Sequence, residues 1–216
     1  MLLVRNTKYL PQITKDAERF GYNDIFKCII DSKVFGRIFC TRISFEGKMK
    51  GKIAKAVFRP EKTLSIEVET KNIGGGFIAY HGTGTYVYCH QIGDNFVVHQ
   101  NVTIGRGKTI NGISIPIIGN NVFVGADTVI LPSVTIGNNV IIGAHSTVTH
   151  DITDNSVVVG SPAKIICSLD EYLGKEKKRM KNSKCYGEEY TLRKNVSMEM
   201  RMKQNEELKG KIGYID

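Results

Sequence analysis

The residues of this chain best suited to chemistry lie in the segment AYHGTG, residues 79–84, where two closely spaced glycines follow His81. An imidazole titrates near neutral pH, so a histidine held out on a turn can accept a proton from a substrate hydroxyl. Glycines permit the tight turns that expose such a side chain. A histidine beside glycines is a weak signal by itself, and its meaning depends on the elements that position it.

A six-residue repeat surrounds this segment. Unbroken hexads cover residues 118–153, and each begins with Ile or Val: IGNNVF, VGADTV, ILPSVT, IGNNVI, IGAHST and VTHDIT. Earlier hexads start at Ile73 and include a seven-residue unit at 85–91 and an eight-residue insertion, INGISIPI, at 110–117. This period is neither that of an amphipathic helix nor that of a half-buried strand. It predicts a short strand and a corner every six residues, with positions one and five inward and three sides to each coil.

The repeat gives AYHGTG a register. Ala79 and Thr83 take the inward positions, and His81 points outward, which argues against a buried structural histidine. Stacking the coils places four residues in one column, namely His81, Gln100, Ala126 and Ala144. The small side chains of the later members predict a shallow groove that begins near His81. His99 is expected one coil above Tyr80, where it either lines an acceptor site or caps a corner.

Three segments of the repeat region resemble those of a known protein family. The segments IGGGFIAYHGTG, VVHQNVTIGRG and VVVGSPAKII are similar to those of hexapeptide-repeat acyltransferases, most closely serine acetyltransferases and the sugar O-acetyltransferases of polysaccharide loci. The resemblance covers about residues 66–165. It implies a mainly β fold, a left-handed parallel β-helix of about four coils, with an N-terminal helical segment and a C-terminal helical extension. The left-handed winding comes from the resemblance alone.

The resemblance also implies roles for individual residues in an acetyl-CoA-dependent O-acetyltransferase. His81 matches the general base, which would deprotonate a hydroxyl as it attacks the thioester. Ala126 and Ala144 match small positions along the acetyl-CoA groove, Arg106 and Gly107 lie where the backbone contacts the cofactor, and Lys164 falls near its nucleotide end. Glu67 is the nearest candidate for the acidic residue that orients the histidine, with Glu69 as the alternative. His99 and Gln100 are candidate acceptor-binding residues.

The insertion bears on the acceptor. Serine acetyltransferases carry a second functional histidine in this loop, just before a proline, whereas here Ile115 precedes Pro116 and the loop contains no histidine. This difference favours a bulkier hydroxyl acceptor, a sugar of a surface polysaccharide or its precursor. Serine O-acetylation remains the alternative enzyme activity, and a β-helix scaffold or binding module is the non-enzyme alternative.

The charge distribution and the cysteines limit the classes of binding partner that we expect for this chain. The net charge of +9 divides into +7 for residues 1–72, −1 for 73–164 and +3 for 165–216. No concentrated basic element with interleaved aromatics indicates nucleic-acid binding. Anionic small molecules or peripheral association with an acidic membrane surface fit the basic flanks equally well. The five cysteines lack a CxxC pair, so we expect reduced thiols, no metal and a cytoplasmic location.

The flanks complete the expected organisation. Residues 24–40 are expected to form one helix with a broad apolar face that packs on the first coil or on a partner subunit. Ser168 and Glu171 have capping-box spacing and predict a basic helix after the repeats. We therefore expect a helical segment and lead-in at 1–72, the β-helix domain at 73–165 with its inserted loop at 108–117, and a basic helical extension at 166–216. The resemblance implies a homotrimer.

Overall fold

The computed structural model describes residues 7–105, 107–109 and 112–182. Its central feature is a solenoid in which short parallel strands stack on three faces. Each coil contributes one segment to each face, and five coils are stacked. This is the mainly β, parallel β-helix that the repeat predicted. The structure has one coil more than the expected four, because pairing begins at Ser65, before the first hexad, and continues past Thr153.

The strands of each face follow one another at every turn of the solenoid. The first face contains β1 (Ser65–Ile66), β3 (Tyr86–Val87), β6 (Thr103–Ile104), β11 (Val129–Ile130) and β14 (Thr147–Val148). The second contains β4 (Gln91–Ile92), β9 (Ile117–Ile118) and β12 (Thr135–Ile136), extended by bridges at Ile73 and Ile152. The third contains β2 (Ile78–Ala79), β5 (Val97–Val98), β10 (Val122–Val124), β13 (Val140–Ile142) and β15 (Ser156–Val159). We call the turn from the third face of one coil to the first face of the next the third corner.

The inward positions of the later hexads are buried, as the register predicted. Ile118, Val122, Val124 and Thr128 are all completely inaccessible to solvent, and the same alternation continues to Val158. Each coil buries these side chains against its neighbours, so the apolar core runs the length of the solenoid. The repeat is necessary because a single coil cannot cover its own inward side chains, and each coil therefore needs neighbours with the same pattern.

A ladder of asparagines holds the corner between the second and third faces. Asn95, Asn121, Asn139 and Asn155 each adopt a left-handed conformation, with φ between 56° and 60°. Asparagine tolerates this region better than most residues. Their side-chain amides form hydrogen bonds from coil to coil at 2.8–2.9 Å. The recurring DN and NN pairs of the sequence therefore mark this corner.

The eight-residue insertion leaves the solenoid between β6 and β9. It forms a β-hairpin in which β7 (Gly107–Thr109) pairs antiparallel with β8 (Gly112–Ser114). The next coil resumes in register, because Gln91 pairs with Ile117 and Ile92 with Ile118. The insertion thus projects outward without shifting the stack.

Four helices precede the solenoid: α1 (Leu10–Arg19), α2 (Ile25–Asp31), α3 (Lys33–Ser44) and α4 (Lys48–Phe58). The expectation of one helix over residues 24–40 was wrong. Ser32 is extended, with φ −123° and ψ 106°, and its hydroxyl accepts a hydrogen bond from the Phe35 backbone N–H at 3.1 Å. Serine competes with the helix by bonding to nearby backbone, so it ends α2 and caps α3.

A buried ion pair fixes the helices to the first coil. Arg42 of α3 donates to both carboxylate oxygens of Asp16 at 2.6 and 3.0 Å, and both side chains are about 1% exposed. The guanidinium also donates to the carbonyls of Ile73 and Gly74, and the Phe77 N–H donates to Asp16. Burial raises the pKa of the Asp16 carboxyl, which the charge and hydrogen bonds of Arg42 oppose. Removing one partner of such a pair costs about 3–5 kcal/mol.

The chain leaves the last coil through β16 (Lys164–Ser168), which pairs antiparallel with β15. Helix α5 (Leu169–Asn182) follows, and the Glu171 N–H donates to the Ser168 hydroxyl at 3.2 Å. The helix start predicted from Ser168 and Glu171 is confirmed. Leu169 of α5 packs on Ile141 and Val157 of the third face.

Candidate active site

The third corner of the first coil is longer than its counterparts. In coils 2 and 3, three residues separate the inward positions, from Val98 to Val102 and from Val124 to Thr128. In coil 1, five residues lie between the buried Ala79 and the buried Thr85. The corner that contains AYHGTG therefore carries two extra residues.

Backbone hydrogen bonds identify the extra residues as His81 and Gly82. The Asn101 N–H donates to the Thr83 carbonyl at 2.9 Å, just as the Asp127 N–H donates to Gln100 one coil later. Thr83, and not His81, therefore stacks below Gln100. The predicted column is corrected to Thr83, Gln100, Ala126 and Ala144, and the inward assignment of Thr83 was wrong, because its side chain is exposed.

The extra residues form a bulge that carries His81 outward. His81 and Gly82 both adopt left-handed backbone conformations, with φ of 60° and 62°. The Gly82 N–H donates to the Tyr80 carbonyl at 2.7 Å, which closes the turn tightly. His81 is exposed, as the register predicted. A left-handed histidine is uncommon and costs energy, and such strain is typical of functional positions.

The N-terminal region supports this bulge from behind. Gly82 is buried, and a Cβ at this position would lie 3.4 Å from Leu64 Cδ2 and 3.5 Å from Val34 Cγ1. Leu64 is 1% exposed in the solenoid core, and Val34 of α3 packs against that core. The helices thus brace the turn that positions His81.

An aromatic row borders the bulge on the third face. The rings of Tyr80 and His99 lie 4.9 Å apart between centroids, and those of His99 and Phe123 lie 5.1 Å apart. The expected position of His99 above Tyr80 is confirmed. Burial lowers the pKa of the Arg19 guanidinium of α1, and the neighbouring Tyr80 partly offsets that effect. Tyr80, which precedes His81 in the chain, therefore lies between the His99 ring and the half-buried Arg19 guanidinium.

Gln100 presents an unusual acceptor in the corrected column. Its Oε1 is buried, and no described residue donates a hydrogen bond to it. Buried polar atoms are nearly always paired, so the Gln100 side chain would have to expose this oxygen before a ligand hydroxyl could bind it. Gln100 was a candidate from its place in the predicted column, and its unpaired oxygen is visible only in the structure.

The rest of the third-corner column leads away from His81 along the solenoid. Ala126 is half-buried and Ala144 is exposed. At the last coil, the turn between β15 and β16 closes over the same corner, with the Ala163 N–H bound to the Thr147 carbonyl at 2.8 Å. Lys164 follows this turn and is exposed. With parallel strands about 4.8 Å apart, the path from His81 to this turn is about 19 Å long.

The acidic candidates lie in other environments. The Glu67 carboxylate accepts a hydrogen bond from the Tyr86 hydroxyl at 3.1 Å and from Ser65 at 3.4 Å. Glu69 pairs with Lys71 at 2.8 Å. Within the part of the chain that the structure describes, no carboxylate forms a hydrogen bond or ion pair with the His81 ring. An orienting role for Glu67 would require its side chain to leave Tyr86.

The two remaining cofactor candidates are Arg106 and Gly107. Arg106 lies outside the described residues, and Gly107 begins β7. His90, His145 and His150 are exposed. Among the described residues, no three His, Cys, Asp or Glu side chains lie close enough to hold a metal ion.

The cysteines in the described ranges carry free thiols. Cys28, Cys40 and Cys89 are buried, and burial raises their pKa values to about 12, 11 and 12. Cys167 is also free, and Cys185 lies outside the described residues. Such buried thiols are poor nucleophiles at neutral pH, so none of the three competes with His81 as the reactive group.

Several residues of this site could not be selected from the sequence. Tyr80 and the bracing residues Leu64 and Val34 carry no motif of their own. The sequence did indicate one surplus residue, which we assigned to residues 85–91. In the structure the third corner of the first coil has two residues more than the later third corners. The segment between the inward Val87 and Ile92 has one residue fewer than the segment between Ile130 and Ile136, so the net surplus is again one residue.

Comparison with known proteins agrees with the repeat. The bacterial transferase hexapeptide (six repeats) family matches residues 115–150. Protein CapG of Staphylococcus aureus is 62% identical over 55 residues, which are 26% of this chain and 32% of CapG. The putative colanic acid biosynthesis acetyltransferase WcaB of Escherichia coli strain K12 is 38% identical over 94 residues, 43% of this chain and 57% of WcaB. The chain thus spans between a third and about three fifths of the length of these relatives.

A solved structure supports the fold independently. The serine acetyltransferase of Brucella abortus strain S19, in complex with coenzyme A, has a TM-score of 0.60 and 22% identity, with 77% of this chain and 71% of that chain covered. At this identity the likeness concerns the fold alone. The repeat and the five stacked coils agree with the hexapeptide match to residues 115–150 and with the fold of this solved structure.

Proposed function

We propose that this protein is an acetyl-CoA-dependent O-acetyltransferase that modifies a hydroxyl of a sugar in a surface polysaccharide or its precursor. The observation that carries the proposal is the two-residue bulge that holds His81 outward at the start of the third-corner column. The other third corners turn with three residues, so the extra length serves the histidine and not the solenoid. The relationship to WcaB, named for colanic acid biosynthesis, supports a glycan acceptor.

The proposed chemistry needs a base beside the thioester. His81 accepts the proton of the acceptor hydroxyl as its oxygen attacks the acetyl carbonyl, and it returns that proton to the departing thiol. A new C–O bond forms and the C–S bond breaks, so no further reactant is required. Backbone N–H groups of the glycine-rich bulge are the nearest donors for the developing oxyanion. The fixed left-handed turn, braced by Leu64 and Val34, orients the imidazole in place of a carboxylate partner.

The remaining roles follow the geometry of the column. Ala126 and Ala144 leave room for an extended thioester arm, and Lys164 lies at the far end, where a cation would meet phosphates. The Brucella protein with the same fold was solved with coenzyme A, which supports this donor. Arg106 and Gly107 are assigned to the donor as well. The assembly we propose is a homotrimer, in which the inserted hairpins would lie near a neighbouring subunit.

The acceptor is assigned to the residues of the first two coils that are nearest to His81 in the stack, Gln100, Tyr80 and His99. The unpaired Oε1 of Gln100 offers an acceptor for a hydroxyl once its side chain exposes it, and the stacked Tyr80 and His99 offer an aromatic surface beside it. Free thiols among the described cysteines support a reducing compartment, so we place the reaction in the cytoplasm. Among the residues that the structure describes, no helix is both long and apolar enough to cross a bilayer.

His81→Ala tests the proposal. We expect the rate of acetyl transfer to fall by a factor of about 10² to 10⁴, the usual contribution of a general base. Release of the thiol from acetyl-CoA measures this rate. Calorimetry should show unchanged binding of coenzyme A. The matched control is His145→Ala, because His145 is also an exposed, left-handed third-corner histidine and lies three coils away. Full activity in His81→Ala would remove His81 from the mechanism, and absence of both turnover and coenzyme A binding in the wild type would favour a scaffold.

L-Serine is the second candidate acceptor, favoured by the fold shared with a serine acetyltransferase. The absence of a histidine from the sequence of the inserted loop argues against it. Parallel assays with L-serine and with sugar nucleotides and glycan fragments separate the two. Turnover with L-serine that exceeds turnover with every sugar would overturn the sugar assignment and leave the acetyltransferase assignment intact.

A further inference from the structure

Helix α4 exposes an apolar stripe on the surface of the N-terminal region. Met49, Ile53 and Val57 recur every fourth residue, and their exposures are 70%, 46% and 62%. Residues four apart lie on one face of a helix, so these side chains form a continuous line. Single exposed apolar residues are ordinary, but three in line on one short helix are not.

The stripe is presented on a helix whose other face is firmly packed. Gly51 and Ala54 are buried, and a Cβ at Gly51 would lie 2.4 Å from Ser44 Oγ, so the helix lies against the end of α3. The Phe58 ring makes an edge contact with Phe39, 5.5 Å between centroids. The inner face of α4 therefore already packs against α3, and the outward stripe is not needed for that packing.

Basic side chains flank the stripe unequally, because at 100° per residue Lys48, Lys52 and Arg59 lie on one side of it and Lys50 on the other. The segment from Lys48 to Arg59 contains five basic residues and no acidic residue, Lys48, Lys50, Lys52, Lys55 and Arg59. All five are exposed, and only Lys50 has a carboxylate partner among the described residues, Glu46 at 3.2 Å. The face thus combines apolar contact area with a strong positive potential.

We propose that this face of α4 docks on an anionic lipid bilayer. An amphipathic helix with lysines on the rims of an apolar stripe lies in the interface, with the stripe among acyl chains and the ammonium groups at the phosphates. Charge decides against a second copy of the chain, because two such faces would repel. Lysine is depleted from protein interfaces, which argues against a protein partner. Nucleic acid would use the charges and leave the stripe uncovered.

The proposed docking does not depend on acetyl transfer, and it gives a role to the excess positive charge of the N-terminal region. Residues 1–72 carry +7, whereas residues 73–164 carry −1. Docking through α4 would attach the helical end of the molecule to the membrane and leave the β-helix in solution. The short stripe supplies a weak attachment alone, and the lysines supply the second signal that stable association requires.

Flotation of the full-length protein with vesicles tests the docking. We expect binding to vesicles of phosphatidylcholine mixed with phosphatidylglycerol, little binding to phosphatidylcholine alone, and loss of binding in about 0.5 M salt. Lys48→Gln/Lys52→Gln/Lys55→Gln should weaken binding by about a hundredfold, since each lysine near an anionic surface contributes about fivefold. The substituted positions are exposed, so folding should persist, and circular dichroism checks it.

A second variant isolates the apolar contribution. Met49→Ser/Ile53→Ser/Val57→Ser keeps every charge and should lower vesicle binding by about tenfold or more. The control is Ile166→Ser, a 57% exposed isoleucine of β16 at the opposite end of the solenoid, which should bind as the wild type does. Wild-type protein that stays unbound to anionic vesicles, or a stripe variant that binds equally well, would overturn the proposal. A stripe variant that changes the oligomer mass in light scattering would also overturn it and assign the face to a second copy.

Discussion

The third corner of the first coil and the third corners of later coils solve the same geometric problem with different lengths. In coils 2, 3 and 4, one left-handed residue turns the chain, Asn101, Asp127 or His145, with φ of 56–57°. In coil 1, His81, Gly82 and Gly84 are all left-handed, and the corner holds two more residues. Only the inward positions must match from coil to coil. A corner can therefore gain residues that project a side chain, at little cost to the solenoid.

Deletion of residues 81–82 gives the third corner of the first coil the length of the other third corners. We expect acetyl transfer to fall at least as far as in His81→Ala, about 10² or more, because the base is removed with its bulge. The solenoid should persist, since Thr83 already stacks below Gln100. A thiol-release assay and a thermal melt followed by circular dichroism measure the two effects. A deletion variant with more than a tenth of wild-type activity would contradict the proposed role of the bulge.

Leu64→Ala weakens the brace behind the bulge and leaves the His81 side chain in the sequence. The lost burial should lower the free energy of unfolding by about 2–5 kcal/mol. It should also lower kcat by about tenfold to a hundredfold, because small displacements of a catalytic group are costly. Ile130→Ala is the matched control, since Ile130 is likewise 1% exposed but lies in the solenoid core away from the bulge. Denaturant titration should show similar destabilisation in both, and an equal loss of kcat in both would refute a specific brace.

Gly82→Ala should have the smallest effect of the three. The new Cβ would make ordinary contacts with Leu64 and Val34, so the main cost is the left-handed φ of 62°, about 1–2 kcal/mol. Relief of that strain should shift the neighbouring imidazole and lower kcat about fivefold, the equivalent of about 1 kcal/mol. Gly21→Ala carries the same conformational cost at φ 83° with no atom within 4 Å. Loss of activity in Gly21→Ala as well would show that stability alone explains the effect.

Much of the fold could be predicted from the sequence, because the apolar positions of the repeat are the positions that the solenoid buries. The inward positions between Ile118 and Ile152, the site and size of the insertion, and the start of α5 were predicted from residue types alone. The helix break at Ser32 was missed, because the apolar pattern continues across it and only the extended backbone of Ser32 separates α2 from α3. The first coil was missed because residues 64–72 contain no hexad, although Leu64, Ile66 and Val68 are buried.

Residue types alone predict the solenoid and its period, since both depend on which side chains must leave water. They also predict an exposed His81, but through a hexad register that does not hold at this corner. The tertiary structure decided how His81 is held. Two extra residues followed by one fewer give the same count as one extra residue, so only the hydrogen bond from Asn101 to Thr83 identified the bulge. Its brace likewise depends on Leu64 and Val34, which are distant in sequence from His81 and meet Gly82 only after the helices pack on the first coil.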